Sequence, residues 1–320
     1  MANILVTGGA GFIGSHVVDK LLSDGYGVIV IDDFNDFYDP LIKKRNIKDH
    51  LLHPNYTLHE GDIRDGELLN KVFSGKKIDA VIHLAARAGV RPSLEQPVLY
   101  QEVNVAGTQN IFECCRNFGV KKCLFASSSS VYGINNKIPF SEDDPIFKPI
   151  SPYAATKASG ELLAHVYSHL YGIQILCLRF FTVYGPRQRP DLAINKFTKL
   201  IDNGLPIPLF GDGTTRRDYT YIEDIVNGIM GALTYNQTQY EIVNLGNSQT
   251  VYLKDLIQVI ETKLGKQAII ERLPMQLGDV PQTFADVSKA RHLFGFNPST
   301  PIEQGIEKYI DWYYSTKSGR

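Results

Sequence analysis

The chain has 320 residues, 43% hydrophobic and 21% charged, enough to bury a large core without disulfides. Its formal net charge of -1 argues against a broad basic surface for nucleic acid. No apolar run approaches the roughly 18 residues that span a bilayer. The start MANILVTGG lacks a signal-peptide pattern, and Cys114, Cys115, Cys123 and Cys177 form no C-x-x-C pair, so reduced core thiols in a cytoplasmic protein are expected.

The predicted elements alternate along the chain. NILVTG (3–8) reads as a strand, FIGSHVVDKLLSDG (12–25) as a helix and GVIVID (27–32) as a second strand. YTLHEGD (56–62), IDAVIHLAA (78–86), KKCLFASS (121–128) and IQILCLRFF (173–181) continue the strands, separated by helical patterns such as 98–118 and 151–172. Near-continuous Val/Ile/Leu strands are buried on both faces, as in a parallel sheet. The reading is α/β: a doubly wound parallel sheet (Rossmann) with a second, smaller α/β substrate domain. Beyond 181 Gly and Pro cluster, while 221–235 and 240–246 read as one more helix–strand unit returning to the sheet. The expected division is 1–181 with 218–246 as a dinucleotide domain, and 182–217 with 247–320 as the substrate domain. A cleft between them is the natural binding site.

TGGAGFIG (7–14) follows the first strand and opens the first helix. Gly8 permits a tight turn, Gly11 lets backbone approach a pyrophosphate, and Gly14 allows close packing, with the helix N-terminus favouring the anion. Asp32 and Asp33 end the second strand, where an acid accepts from a ribose 2′-OH and repels a 2′-phosphate. NAD is therefore expected over NADP.

Tyr153 and Lys157 lie four apart on one helix face. A tyrosine acting as a base at neutral pH needs its pKa lowered from about 10 by about three units, roughly 4 kcal/mol. One cation about 4 Å away supplies about that much. Lys157 and a positive nicotinamide ring are the expected sources. Four serines in ASSSSVYG (126–133) end a strand, where they suit the mouth of a sheet better than a core. His83 reads as packing at a strand end, and no histidine shows metal spacing.

TGGAGFIG, HLAA (83–86), ASSSSVYG, PYAATK (152–157) and RFFTVYGPRQRPD (179–191), in this order, resemble an extended short-chain dehydrogenase/reductase over nearly the whole chain. Within it, FNDFYDPLIKKRNI (34–47), AGVR (88–91) and GPRQRPD (185–191) are similar to the UDP-glucuronate 4-epimerase subgroup. The resemblance implies NAD, a UDP-sugar and a transient 4-keto sugar. It makes Tyr153 the base at the sugar 4-OH, Lys157 its helper on the nicotinamide ribose, and Ser128 the hydroxyl that binds the 4-OH. It assigns Gly8, Gly11, Phe12, Ile13, Gly14, Asp32, Asp33, Asp62, Ile63, Leu84, Ala85 and Ala86 to the cofactor, with Tyr153 and Lys157. It assigns Arg91, Ser128, Ser129, Thr182, Arg189, Arg217 and Asp279 to the substrate, Arg217 holding phosphate. It further implies a homodimer built on the helices at 98–118 and 151–172.

Two departures from related sequences matter. Sugar dehydratases carry Asp-Glu, and decarboxylating UDP-xylose synthases Glu, where this chain has Ser129 and Ser130. Many relatives carry an arginine before the GDV motif, where this chain has Gln276 and Leu277. Arg189, Thr182 and Ser129 are read as binding a C5 carboxylate, worth roughly 10- to 100-fold in affinity, the alternative being an arginine loop that ties the two domains together or binds diphosphate, and Arg187 is read as the more structural of the pair. The competing readings are a UDP-glucose or UDP-N-acetylglucosamine 4-epimerase, a 4,6-dehydratase, and a non-catalytic NAD-sensing regulator.

Overall fold

The computed structural model describes residues 1–274 and 280–318. Its strands are β1 (Asn3–Thr7), β2 (Gly27–Asp32), β3 (Tyr56–Glu60), β4 (Ala80–His83), β5 (Lys122–Ser128), β6 (Gln174–Phe180), β7 (Thr182–Tyr184), β8 (Pro206–Phe210), β9 (Arg216–Arg217), β10 (Tyr219–Tyr221), β11 (Tyr240–Leu245), β12 (Val251–Tyr252) and β13 (Ile269–Leu273). Its helices are α1 (Phe12–Ser23), α2 (Pro40–Asn46), α3 (Gly66–Gly75), α4 (Val90–Glu95), α5 (Pro97–Gln101), α6 (Thr108–Asn117), α7 (Pro152–Tyr171), α8 (Ala193–Asp202), α9 (Ile222–Thr234), α10 (Leu253–Leu264), α11 (Ser288–Phe294) and α12 (Ile302–Ser318).

Seven strands form one sheet in the order β11-β6-β5-β4-β1-β2-β3, with every pairing parallel. Every residue of β2 is buried, as its unbroken apolar run requires. β11 pairs with β6, so the expected returning strand does rejoin the sheet. The chain reverses direction across the sheet between β1 and β4, the switch point where such folds bind ligands.

Local signals set the helix ends. Ser151 caps α7 by accepting from the Ala154 N–H at 3.1 Å, Pro152 follows it, and Gly172 ends the helix in the left-handed region. The single helix expected over 98–118 is instead α5, a π-helical turn over Glu102–Gly107, and α6. A uniform apolar pattern does not register one wide turn, because a π-turn shifts the face without changing composition.

The remaining strands make three two-stranded pairs: β7 with β10, β9 with β12, and β8 with β13. One apolar cluster joins a face of the large sheet to buried residues of α8, α10 and α12, including Phe197, Ile257 and Ile306. These helices thus share one core with the large sheet. A second cluster, with Phe112, Phe125 and Tyr167, fills the opposite face under α3, α6 and α7.

Candidate active site

A cleft of about 450 Å³ runs across the C-terminal ends of the strands. Every residue that the sequence assigned to the cofactor lines it: Gly8, Gly11, Phe12, Ile13, Gly14, Asp32, Asp33, Asp62, Ile63, Leu84, Ala85, Ala86, Tyr153 and Lys157. So do Ser128, Ser129, Thr182 and Arg189. Arg91 and Arg217 stand outside that lining. Arg91 lies over the Phe210 ring of β8 at 5.1 Å, and Arg217 donates to the Arg216 carbonyl at 2.8 Å. Asp279 falls outside the described residues, as do Gln276 and Leu277.

At one end, the turn after β1 is closed by backbone. Gly8 has φ +72° and donates to the Ile31 carbonyl at 2.8 Å. A Cβ on Gly8 would lie 2.9 Å from the Ala85 nitrogen, and one on Gly14 only 2.1 Å from the Gly8 oxygen. No side chain caps the N-terminus of α1 at Gly11, whereas Asp65 and Ser151 cap α3 and α7. The first amides of α1 and their partial positive charge therefore face the cleft. That suits a pyrophosphate.

Asp32 is not a bare carboxylate. It accepts from the Ala10 N–H at 3.0 Å, the Phe34 N–H at 3.0 Å and Lys43 Nζ at 3.1 Å, while Lys43 also lies 3.7 Å from Asp33. Lys43 is buried and lines the cleft, so two acids face one lysine there. The net charge stays negative, and Asp33 retains the power to repel a 2′-phosphate. Lys43 escaped the sequence reading because nothing in the KKR run of α2 marks which lysine turns inward.

At the other end sit Ser128, Tyr153 and Lys157. Ser128 ends β5 in register with Phe180 of β6, and its Oγ donates to Ser130 Oγ at 3.2 Å and hydrogen-bonds Tyr153. Lys157 is 4% exposed and donates to the Ala126 carbonyl at 2.7 Å. Burial lowers its pKa to about 8, which the Glu161 carboxylate partly opposes. Burial raises the Tyr153 pKa, and the groups that pull it back are Ser128, through its hydrogen bond, and the Arg189 guanidinium. One cation acting on the phenol thus comes from a loop 36 residues on in sequence.

The two arginines of GPRQRPD part company. Arg187 adopts φ +61° and turns away to pair with Asp19 of α1 at 2.6 Å. Arg189 lines the cleft, lies 5.4 Å from the Phe37 ring centroid, and holds Asp191 through two bonds, Nε at 3.0 Å and Nη2 at 2.8 Å.

Sequence reasoning also passed over Asn104. It sits in the π-turn, is 1% exposed, accepts from the Arg87 N–H at 2.7 Å, and donates to Thr156 Oγ1 at 3.1 Å. It thereby ties the cleft wall to α7. A fully buried asparagine within an apolar helix is the available signal. His83 is buried as expected, bonded to Thr7 Oγ1 at 2.6 Å and Thr108 Oγ1 at 3.0 Å. No group of three or more metal-ligating side chains occurs among the described residues.

With this geometry in place, comparison with known proteins is informative. The family profile described as GDP-mannose 4,6 dehydratase matches residues 5–309. The UDP-glucuronate 4-epimerase of Thermodesulfobacterium geofontis is 44% identical over 98% of this chain and 96% of its own. Among solved structures, the UDP-glucuronic acid 4-epimerase of Bacillus cereus, in complex with UDP-glucuronic acid and NAD, superposes with a TM-score of 0.92 at 38% identity, covering 98% of this chain and 99% of that one. The UDP-glucose 4-epimerase of Thermotoga maritima, with UDP-glucose, gives 0.89 at 34% identity, with 98% and 99% covered. The chain belongs to the extended short-chain dehydrogenases/reductases, in their nucleotide-sugar epimerase branch.

Proposed function

We propose that the protein is an NAD-dependent UDP-sugar 4-epimerase that interconverts UDP-glucuronate and UDP-galacturonate. The observation that carries this reading is one cleft with an uncapped helix N-terminus at one end and Ser128, Tyr153, Lys157 and Arg189 at the other. Gly11, Gly14, Asp32, Asp33, Asp62, Leu84, Ala85 and Ala86 hold NAD, whose nicotinamide supplies the acceptor and donor of the C4 hydride when bound. Tyr153 takes the proton from the sugar 4-hydroxyl and returns it. Ser128 shares the bond network of that oxygen. Lys157, anchored on Ala126, keeps a positive charge beside the phenol. Ser129 and Ser130 offer no carboxyl group to expel water from the sugar, which sets this cleft apart from a dehydratase.

Residues 182–217 and 247–320 form the UDP-sugar side, with Arg217 on the phosphate and Arg91 and Asp279 among the substrate residues. Arg189, Thr182 and Ser129 take the C5 carboxylate. Oxidation at C4 makes that group a β-keto acid prone to lose CO2. A strong ion pair keeps charge on the carboxylate and fixes the ring.

We also place a homodimer contact on α7, where Leu162, Val166 and Leu170, spaced by four, are 67%, 44% and 61% exposed. A cytoplasmic setting suits the four free, buried cysteines. No described helix is long and apolar enough to cross a membrane.

The test is proton NMR of the purified protein with UDP-glucuronate and, separately, UDP-glucose. A new UDP-galacturonate anomeric signal is expected in the first tube. Arg189→Ala is expected to lose about 10- to 100-fold on UDP-glucuronate and to release a UDP-pentose. UDP-galactose in the second tube alone would return Arg189 to a structural role.

A further inference from the structure

Arg189 reaches the cleft with one edge already taken. A guanidinium has five N–H donors and two edges that match a carboxylate. Asp191 occupies the Nε and Nη2 edge, through bonds of 3.0 and 2.8 Å. Both Nη1 hydrogens and one Nη2 hydrogen remain, which is a complete second edge. Arg189 lines the cleft, and Asp191 stands behind it with its side chain 40% exposed.

The backbone just before Arg189 is held independently of Asp191. Gln188 is 2% exposed, donates through Nε2 to the Val183 carbonyl at 3.2 Å, and accepts at its own carbonyl from Asn195 Nδ2 at 2.7 Å. Arg187 is clamped to Asp19. The side-chain bonds of Asp191 go to the guanidinium that lines the cleft.

We propose that Asp191 is a specificity-determining positioning residue: it presents the free edge of Arg189 to the sugar C5 substituent and balances its charge, so that the site accepts a carboxylate without demanding one. The inference rests on the reading of Arg189 as the carboxylate's partner. With a neutral hydroxymethyl group at C5, Arg189 remains paired with Asp191 and no half-buried charge is stranded. With a carboxylate at C5, two anions share one cation on neighbouring edges and repel each other. Asp191 therefore weakens the hold on a uronate and softens the penalty for a neutral sugar. Because Asp191 is partly exposed, solvent screens the effect to about three- to tenfold in affinity.

Asp191→Asn keeps the shape and one acceptor for Arg189 but removes the charge. Steady-state kinetics on UDP-glucuronate and UDP-glucose then read the ratio of the two kcat/KM values. In Asp191→Asn this ratio is expected to rise about three- to tenfold in favour of UDP-glucuronate, through a lower KM for the uronate and a higher KM for the neutral sugar. Asp191→Glu restores the charge and is expected to bring the ratio back toward that of the wild type. A residue that only stiffened the loop would change both substrates together. An Asp191→Asn ratio that is unchanged or lower, in a wild-type protein that does turn over UDP-glucuronate, overturns this inference alone. A wild type inactive on UDP-glucuronate overturns the proposed function, and this inference with it.

Discussion

At the cofactor end of the cleft, shape comes from backbone packed on backbone: the Gly8 turn lies against Leu84 and Ala85, and the first turn of α1 lies against Gly8 and Gly9. At the sugar end it comes from carboxylates. Asp19 holds Arg187, Asp191 holds Arg189, and Asp218 gathers the N–H groups of Asn247 (2.6 Å), Ser248 (3.0 Å) and Ala285 (3.1 Å). The first kind of join is steric, indifferent to pH, and intolerant of any added atom. The second is ionic and can be altered one partner at a time. A family that keeps one cofactor and varies its sugar gains from that arrangement.

The largest expected effect tests the steric half. Gly14→Ala places a Cβ about 2 Å from the Gly8 oxygen, where only backbone can move. Overpacking of that kind costs about 3 kcal/mol or more. Thermal melting is expected to show that loss, and the purified variant is expected to lose bound NAD from its ultraviolet spectrum. A variant that melts like the wild type with cofactor retained would break the comparison at its stronger end.

This contrast also explains what could be read from the sequence. Gly11 and Gly14 meet the Gly8 turn a few residues away, and Tyr153 and Lys157 share one helix, so spacing carries much of their geometry. The seven parallel strands were legible for the same reason, since each is a local apolar run. Lys43 was not, because three cationic residues in a row do not reveal which one is buried against Asp32. The Asp19–Arg187 pair spans 168 residues and exists only once α1 packs beside the arginine loop. Asp191 was visible two residues from Arg189, yet a short-range acid near an arginine is common and carries no direction by itself. Burial, a property of the whole fold, raises the Tyr153 pKa and cannot be read from its spacing to Lys157.

The second prediction concerns pH and the ionic half. Burial raises the Asp218 pKa from the usual 3.8 to about 6, against the pull of its three backbone N–H donors and Thr220. Its folded value exceeds its unfolded value, so the folded state binds more protons between about pH 4 and pH 6. The stability that Asp218 contributes is therefore full below about pH 4 and is lost as pH rises through about 6. The change is about 2–3 kcal/mol. Asp202 works in the opposite sense. Lys266, Lys317 and Tyr313 hold its pKa down, so its contribution is present above about pH 4 and lost below. Subtracting the melting curves of Asp218→Asn from those of the wild type, at pH 4 and at pH 7, isolates the Asp218 slope. A difference that does not change between the two pH values would show that the loops around Gly246 and Ala285 do not depend on that charge.

The smallest effect separates the two kinds of join within a single residue. Arg187 sits at φ +61°, which costs a non-glycine residue about 1–2 kcal/mol, and its guanidinium pairs with the half-exposed Asp19. Ala and Gly at this position both lose the ion pair, a loss of about 1 kcal/mol for so exposed a partner. Gly regains the cost of the left-handed backbone, whereas Ala does not. Arg187→Gly is therefore expected to melt within about a degree or two of the wild type, and Arg187→Ala about 2–4 °C below Arg187→Gly. If the two variants melt together, the bend of the loop is set elsewhere. If Gly melts higher, the sugar-side loop is bent by its own backbone and only secured by Asp19, which leaves Arg189 facing the cleft even when the clamp is gone.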